Sequence, residues 1–307
     1  MPITPVRHLA TGLALALLAT SSSAQADWRD EIKVFRVGIM TGANAAYRLV
    51  QFEPFRAYLE AKLAVPVEIL PAPDYRALID AQATSRVHYA IYSASAFATA
   101  AATCQCVEPV AVPAREGGEV GFYALLVARA GGPIRSLADA RGMRLALAGA
   151  DSVAGRLLPM KAFEAESIVP AEYFSSVVDA GDPELAITAL LAGEADLAVA
   201  WSSLTGDRSA GYSFGVLAAL VAEGGLSMDQ IRIVWQSPLV PFGPHAVRSD
   251  LPADLKPLVS DALFAMASES PAALDAVDRF GGSGFVAADA RLYAPVEALI
   301  APPAAAQ

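Results

Sequence analysis

Residues 149–155, Gly149-Ala150-Asp151-Ser152-Val153-Ala154-Gly155, form a loop running into a helical stretch, and they are the best candidate in the chain for holding an anion. Amides at a helix start lack an intrahelical acceptor and carry partial positive charge, so they stabilise an oxyanion without any cation. Ser152 can add a hydroxyl donor, with the alternative that it merely caps the helix. Tyr92, Ser93 and Ser95 are a second candidate group. They lie at the end of the strand-like run 89–92 and in the following turn, where open α/β sheets present ligands, although Ser95 reads equally well as the cap of the helix it begins. His245, near Phe242 and just beyond a proline-rich run, is a reserve contact whose protonation an anion would favour.

No catalytic set accompanies these groups. The chain has three histidines, His8, His88 and His245, and it shows no Gly-x-Ser-x-Gly elbow, no phosphate-binding P-loop and no cluster with metal-ligand spacing. The expectation is therefore binding without turnover, with no catalytic residue, cofactor or metal. Cys104 and Cys106 are the only cysteines. They read either as a local disulfide across one intervening residue or as two buried thiols, and without histidine or carboxylate neighbours they do not make a zinc site.

The elements that must position these residues alternate between strand and helix, which predicts an α/β architecture with mainly parallel sheets. Strands are expected at 35–39, 65–70, 89–92, 123–128, 145–147, 197–201 and 231–235. Helices are expected at 52–63, where Phe52, Phe55, Leu59 and Leu63 share a face, and at 74–83, 95–103, 153–163, 184–191 and 216–222, with Gly193 as a left-handed cap. Gly131-Gly132-Pro133 is strong turn chemistry. Pro238 and Pro241 mark an extended connector. Tyr123 and this connector read as two crossings of one hinge. That places one lobe at 27–122 plus 241–307 and the other at 123–240, the helices after Leu251 returning to the first; the Ala/Pro-rich tail from Ala301 is expected to fray.

The first 26 residues have the form of a secretory signal: Arg7 and His8, an apolar run from Leu9 to Ala19, and Ala24-Gln25-Ala26 as the cleavage site. The apolar run is shorter than the roughly 20 residues a bilayer requires, so a cleaved leader and a periplasmic product are expected, with no stable membrane anchor. Residues 87–107 carry no formal charge but contain His88, Gln105 and many hydroxyls, which are costly in hydrocarbon. Removing residues 1–26 from the 307 leaves 281, enough for two modest domains. The net charge of −10 becomes −11 once Arg7 is lost, which disfavours nucleic acid and anionic membranes as partners.

A series of landmarks runs through nearly the whole mature chain: Phe52-Glu53-Pro54-Phe55 with Tyr58-Leu59-Glu60; Asp74-Tyr75; Tyr89 to Ser95; Ile134-Arg135-Ser136-Leu137-Ala138-Asp139; Asp151 to Gly155; Gly193-Glu194-Ala195-Asp196; Trp235-Gln236-Ser237-Pro238; and Val247 to Pro252. In this order and spacing the sequence resembles the PhnD-like periplasmic phosphonate, phosphate and phosphite-binding proteins, which have the type II periplasmic binding protein fold. The resemblance implies two α/β lobes joined by a two-stranded hinge, a small oxyanion captured in the cleft between them, and delivery to the membrane permease of an ABC importer by a monomeric receptor. A sensory receptor on the same fold is the alternative, and an enzyme on this fold is a more distant one.

The resemblance also marks individual residues. Tyr75 matches a tyrosine that reaches the ligand in the family, with a packing role in its helix as the alternative. Where the family has Ser-Thr-Ser-Gly, only Ser152 and Gly155 match, Val153 and Ala154 replacing two hydroxyl residues. Phe122 stands at a tyrosine position with Tyr123 beside it. Pro183 replaces a ligand-binding histidine while Glu184 keeps the neighbouring acid, and Ser203 falls near an acidic position that meets an amino group, so aminoethylphosphonate is disfavoured. Trp201 and Ser202, at a strand end near the cleft, are further candidate contacts, Trp201 reading equally as core.

Overall fold

The computed structural model describes residues 27–300 except Ala43, Asp151, Arg279 and Phe280. The expected leader at 1–26 with its cleavage site, the tail from Ala301, and Asp151 of the candidate loop lie outside the described residues.

Strands form where β-branched and aromatic residues cluster, and they assemble into two six-stranded sheets. The first contains β1 (Phe35–Met40), β2 (Val67–Ala72), β3 (Tyr89–Ile91) and β4 (Val107–Ala114). The chain then enters the second through β5 (Gly121–Arg129), β6 (Arg144–Leu147), β7 (Ser176–Asp179), β8 (Leu197–Ser202), β9 (Ile231–Gln236) and β10 (Val240–Pro241). It returns to the first with β11 (His245–Arg248) and β12 (Gly284–Ala287). The first sheet has the order β12-β4-β11-β3-β1-β2; the second runs β10-β5-β8-β6-β7, with β9 also on β5. Each sheet has its own core, one around Phe35, Phe55, Tyr89 and Leu263, the other around Leu126, Leu145, Phe163 and Val199. This is the two-lobed type II periplasmic binding fold.

The sheets are mixed rather than mainly parallel. Among the described strands, parallel pairing is confined to β1 with β2 and β3, and to β6 with β7 and β8. The strands that leave one lobe and return to it run against their neighbours: β5 pairs antiparallel with β8, β9 and β10, and β11 with β3 and β4. A chain that crosses between lobes and comes back must reverse its direction, so the crossing itself makes these pairs antiparallel.

Several elements were not anticipated. The helix expected over 52–63 is Glu53–Leu63, preceded by a separate helix Ala45–Gln51. Strand β4 carries Pro109 and Pro113, although proline cannot donate to a ladder. It is nonetheless an interior strand, and its register with β11 is interrupted by a bulge at His245/Ala246, opposite Pro109. Cys104 and Cys106 are joined as a disulfide, Cα atoms 5.0 Å apart, across the left-handed Gln105 that ends the helix Ala94–Cys104.

The hinge is two paired segments. Val240 and Pro241 lie opposite Phe122 and Gly121, and Phe242 N donates to Val120 O at 2.7 Å. Gly121 permits this approach, since a Cβ there would stand 2.3 Å from the Val240 carbonyl oxygen. Glu119, buried at the mouth of the hinge, accepts hydrogen bonds from Thr205 Oγ1 (2.6 Å) and Ser213 Oγ (2.5 Å) of the other lobe. Burial alone would raise its pKa, but these hydroxyls, with Arg115 nearby, hold the carboxyl below the usual range. No helix among the described residues is long and apolar enough to cross a membrane.

Candidate functional site

Between the lobes lies a cavity of about 1190 Å³, somewhat above the roughly 300–1,000 Å³ usual for small-molecule sites. Three helix starts open on it: Tyr75 begins the helix Tyr75–Ala83, Ser93 to Ser95 begin Ala94–Cys104, and Val153 begins a helical run that continues to Ala165.

Local sequence sets each start. Asp74 caps the first helix by accepting from Ala77 N at 2.8 Å. Ser93, rather than Ser95, caps the second: its Oγ accepts from Ala96 N at 3.2 Å, leaving Ser95 exposed with its hydroxyl 3.3 Å from that of Ser93. The third start is shaped by Pro159. Proline has no N–H for the carbonyl four residues back, and the turn before it, Val153–Leu157, widens into a π turn. The Gly155 carbonyl freed in this way accepts from Ala148 N at 3.0 Å.

Tyr75, Tyr92, Ser93, Ser95, Val153 and His245 border the cavity. Tyr92 is buried, and its phenol is turned away to donate to Gln82 Oε1 at 2.7 Å. It offers ring and backbone rather than a hydroxyl, and burial pushes its pKa up. Gly243 lets the returning chain lie against this turn, for a Cβ there would stand 1.8 Å from the Tyr92 carbonyl oxygen.

His245 departs from the expected role. It reaches the cavity floor but is 1 % exposed, packed between Phe55, Tyr89 and Phe285, with Nδ1 hydrogen-bonded to the Tyr89 hydroxyl. Burial pushes its pKa down to about 3, so the ring is neutral at physiological pH and is no cation for an anion.

The remaining candidates lie off the cavity wall. Ser152 uses its Oγ to accept from Gly155 N at 3.1 Å, so the capping alternative is realised, although the same hydroxyl retains its own proton to donate. Ala154 and Gly155 are buried, Ala154 against Ala124, Leu158 and Val240. Tyr123 points to the opposite face of β5 from Phe122, because side chains alternate along a strand, and it packs on the second lobe's core while Phe122 faces the cleft. Trp201 stacks edge-on against Phe122 at 5.6 Å. Ser202 is fully buried, its Oγ 3.4 Å from Phe214 O. Glu184 is exposed in the first turn of Pro183–Ala192, away from the cleft, in a helix capped by Asp182.

Of the wall provided by the second lobe, reasoning from sequence named Val153 and missed Leu157, Met160, Lys161 and Glu164. Val153, Leu157, Met160, Lys161 and Glu164 follow each other at helical spacing and all border the cavity. The spacing was visible; that this face would stay open to solvent was not. Lys161 and Glu164 carry the only formal charges on the described wall, and they pair at 2.9 Å. Arg156 is held away from the cleft by Ala148 O (2.6 Å) and Asp179 (2.9 Å). The site can therefore attract an anion through helix dipoles and hydroxyls but offers no free cation to it. No group of three or more metal-ligating side chains occurs among the described residues.

Residues 38–293 match the family described as the periplasmic phosphonate substrate-binding protein of ABC transporters. The chain is 24 % identical over 298 residues to the phosphonates-binding periplasmic protein of Escherichia coli K12, covering 96 % of this chain and 83 % of that one. It is likewise 24 % identical over 250 residues to the phosphate-import protein PhnD of Mycolicibacterium smegmatis, 78 % of this chain and 76 % of that one. In structure it is similar to XAC2383 from Xanthomonas citri bound to chloride ion, with a TM-score of 0.56, 22 % identity, and coverage of 87 % of this chain and 98 % of the other. The two relatives are thus named for binding and import, not for catalysis, and the chain belongs to the family of periplasmic phosphonate substrate-binding proteins of ABC transporters.

Proposed function

We propose that this chain captures a phosphonate or closely related oxyanion between its lobes and hands it, unaltered, to the permease of an ABC importer. The observation that carries this reading is the meeting of three helix starts, at Tyr75, Ser93 to Ser95 and Val153, on one cavity where the only two formal charges among the described residues cancel. Partial positive charge from aligned peptide dipoles, together with the Tyr75, Ser93 and Ser95 hydroxyls, favours an anion there. The helix start at Val153 borders the same cavity from the other lobe, so an anion that touches both sides favours closure about the hinge. We place the lobe boundaries at the hinge pair, 27–122 with 241–307 and 123–240. The chain acts as a monomer in the periplasm after cleavage behind Ala26.

Thermal unfolding of the mature chain against methylphosphonate, phosphite, phosphate and sulfate tests this. A ligand of the folded state at a hundred times its Kd adds about 2.7 kcal/mol, so at least one phosphorus oxyanion raises Tm by several degrees and is recovered chemically unchanged. Ser95→Asp, which places a negative charge at the exposed helix start, abolishes the shift. No shift with any of these anions or with a longer-chain alkylphosphonate defeats the reading.

A further inference from the structure

The cavity is much larger than a single tetrahedral oxyanion, and its composition is uneven. Polar groups gather at the helix starts, whereas beyond them the second lobe presents Val153, Leu157 and Met160, exposed by 47, 49 and 36 %, with Val169 exposed by 53 %. Facing them from the other lobe are Ile39, Phe52, Ile91 and the C-terminal helix Ala294–Ile300, which contributes Val296 and Leu299. Leu299 also packs on the small apolar cluster at the hinge. Contiguous exposed apolar surface of this kind marks a binding site. Water is a poor occupant over the Val153, Leu157 and Met160 side chains, which offer none of the two to four polar partners an ordered water needs, although Lys161, Glu164 and Ser167 border the same wall. The helical stripe begins at the helix start itself, so a ligand whose head lies there carries its substituent over Leu157 and Met160.

Resting on the reading of the helix starts as an oxyanion site, we infer that the ligand is amphiphilic: an oxyanion head joined to a medium-length apolar group that lies along Val153, Leu157, Met160 and Val169. The cancelled charges of Lys161 and Glu164 fit a head of low charge, an anion whose remaining bulk is hydrocarbon.

Isothermal titration of the mature chain with methyl-, butyl- and octylphosphonate, with octyl glucoside as an uncharged amphiphile, tests the inference. Burying each methylene strengthens binding up to about fourfold, so octylphosphonate is expected to bind about a hundredfold or more tightly than methylphosphonate. Leu157→Asn weakens octylphosphonate binding roughly tenfold, while Val178→Asn, exposed on β7 and outside the cavity, leaves it unchanged. Affinity that is flat or falls with chain length overturns the apolar-group inference and leaves the oxyanion reading standing. Octyl glucoside binding as tightly as octylphosphonate overturns the inferred anionic head. Failure of all three phosphonates, methylphosphonate included, removes the oxyanion reading and the inference with it.

Discussion

On the lobe that carries β1 to β4, residues facing the cleft also hold the fold together. Tyr92 is tied to Gln82 and backed by Gly243, Ser93 caps a helix, and His245 sits in an aromatic cluster. On the other lobe, Val153, Leu157 and Met160 face the same space half exposed. One wall has Tyr92, Ser93 and His245 already tied to neighbours; the other presents an apolar stripe beside the Lys161–Glu164 pair. A cleft built in this way can orient a charged head on the first lobe while the second lobe supplies area.

The sharpest way to break that contrast is Gly243→Ala. The added Cβ meets backbone, not a flexible side chain, so the polar wall must shift. A stability loss of about 3 kcal/mol is expected in urea unfolding, together with loss of anion binding. An unchanged midpoint would show that the wall yields easily.

Acid acts next, through His245. Its pKa in the folded chain is held down to about 3, whereas the unfolded histidine titrates near 6.5. The unfolded state therefore binds the proton first: the stabilisation is complete above pH 6.5 and is lost progressively as pH falls towards 3. This one group makes the chain about 2 kcal/mol less stable at pH 5 than at pH 8. His88, whose pKa burial also lowers, adds to the trend. Urea midpoints across that range read the effect, and His245→Leu should flatten the slope.

Ser93→Ala removes a cap that accepts from Ala96 N and should cost about 1 kcal/mol, read as a lower Tm of the unliganded chain. Leu157→Asn is the matching change on the opposite wall. Because the side chain is 49 % exposed, its unliganded stability should stay within about 0.5 kcal/mol of the parent. If instead Leu157→Asn destabilises as much as Ser93→Ala, the two walls are not different in kind.

Much of the architecture was legible in the sequence. Alternating apolar segments marked β1, β3, β5, β8 and β9, the helix Val216–Ala222 was found to the residue, and Gly193 ends its helix in the left-handed region as expected. Strand β4 was hidden by its prolines, and β11 and β12 by their short length and by partners far away in sequence. At the site, helix starts expected at residues 74, 95 and 153 fall at 75, 94 and 153. The cap expected at Ser95 is Ser93 instead, since both are suitable residues and only the backbone turn decides. The outward face of Tyr123 was not legible, because a register shift of one residue exchanges it with Phe122.

Caps, breakers and periodicity act over a few residues, so the sequence by itself determined within a residue or so where several helices begin, and the order and spacing of its landmarks pointed to the family. Exposure and charge in the cleft depend on groups far apart in the chain. The neutral, buried state of His245 comes from Phe55, Tyr89 and Phe285, and the emptiness in front of Leu157 from how two separate cores are held by one pair of hinge segments. Those were decided only by the tertiary structure, because burial and electrostatics sum over neighbours that no local pattern names.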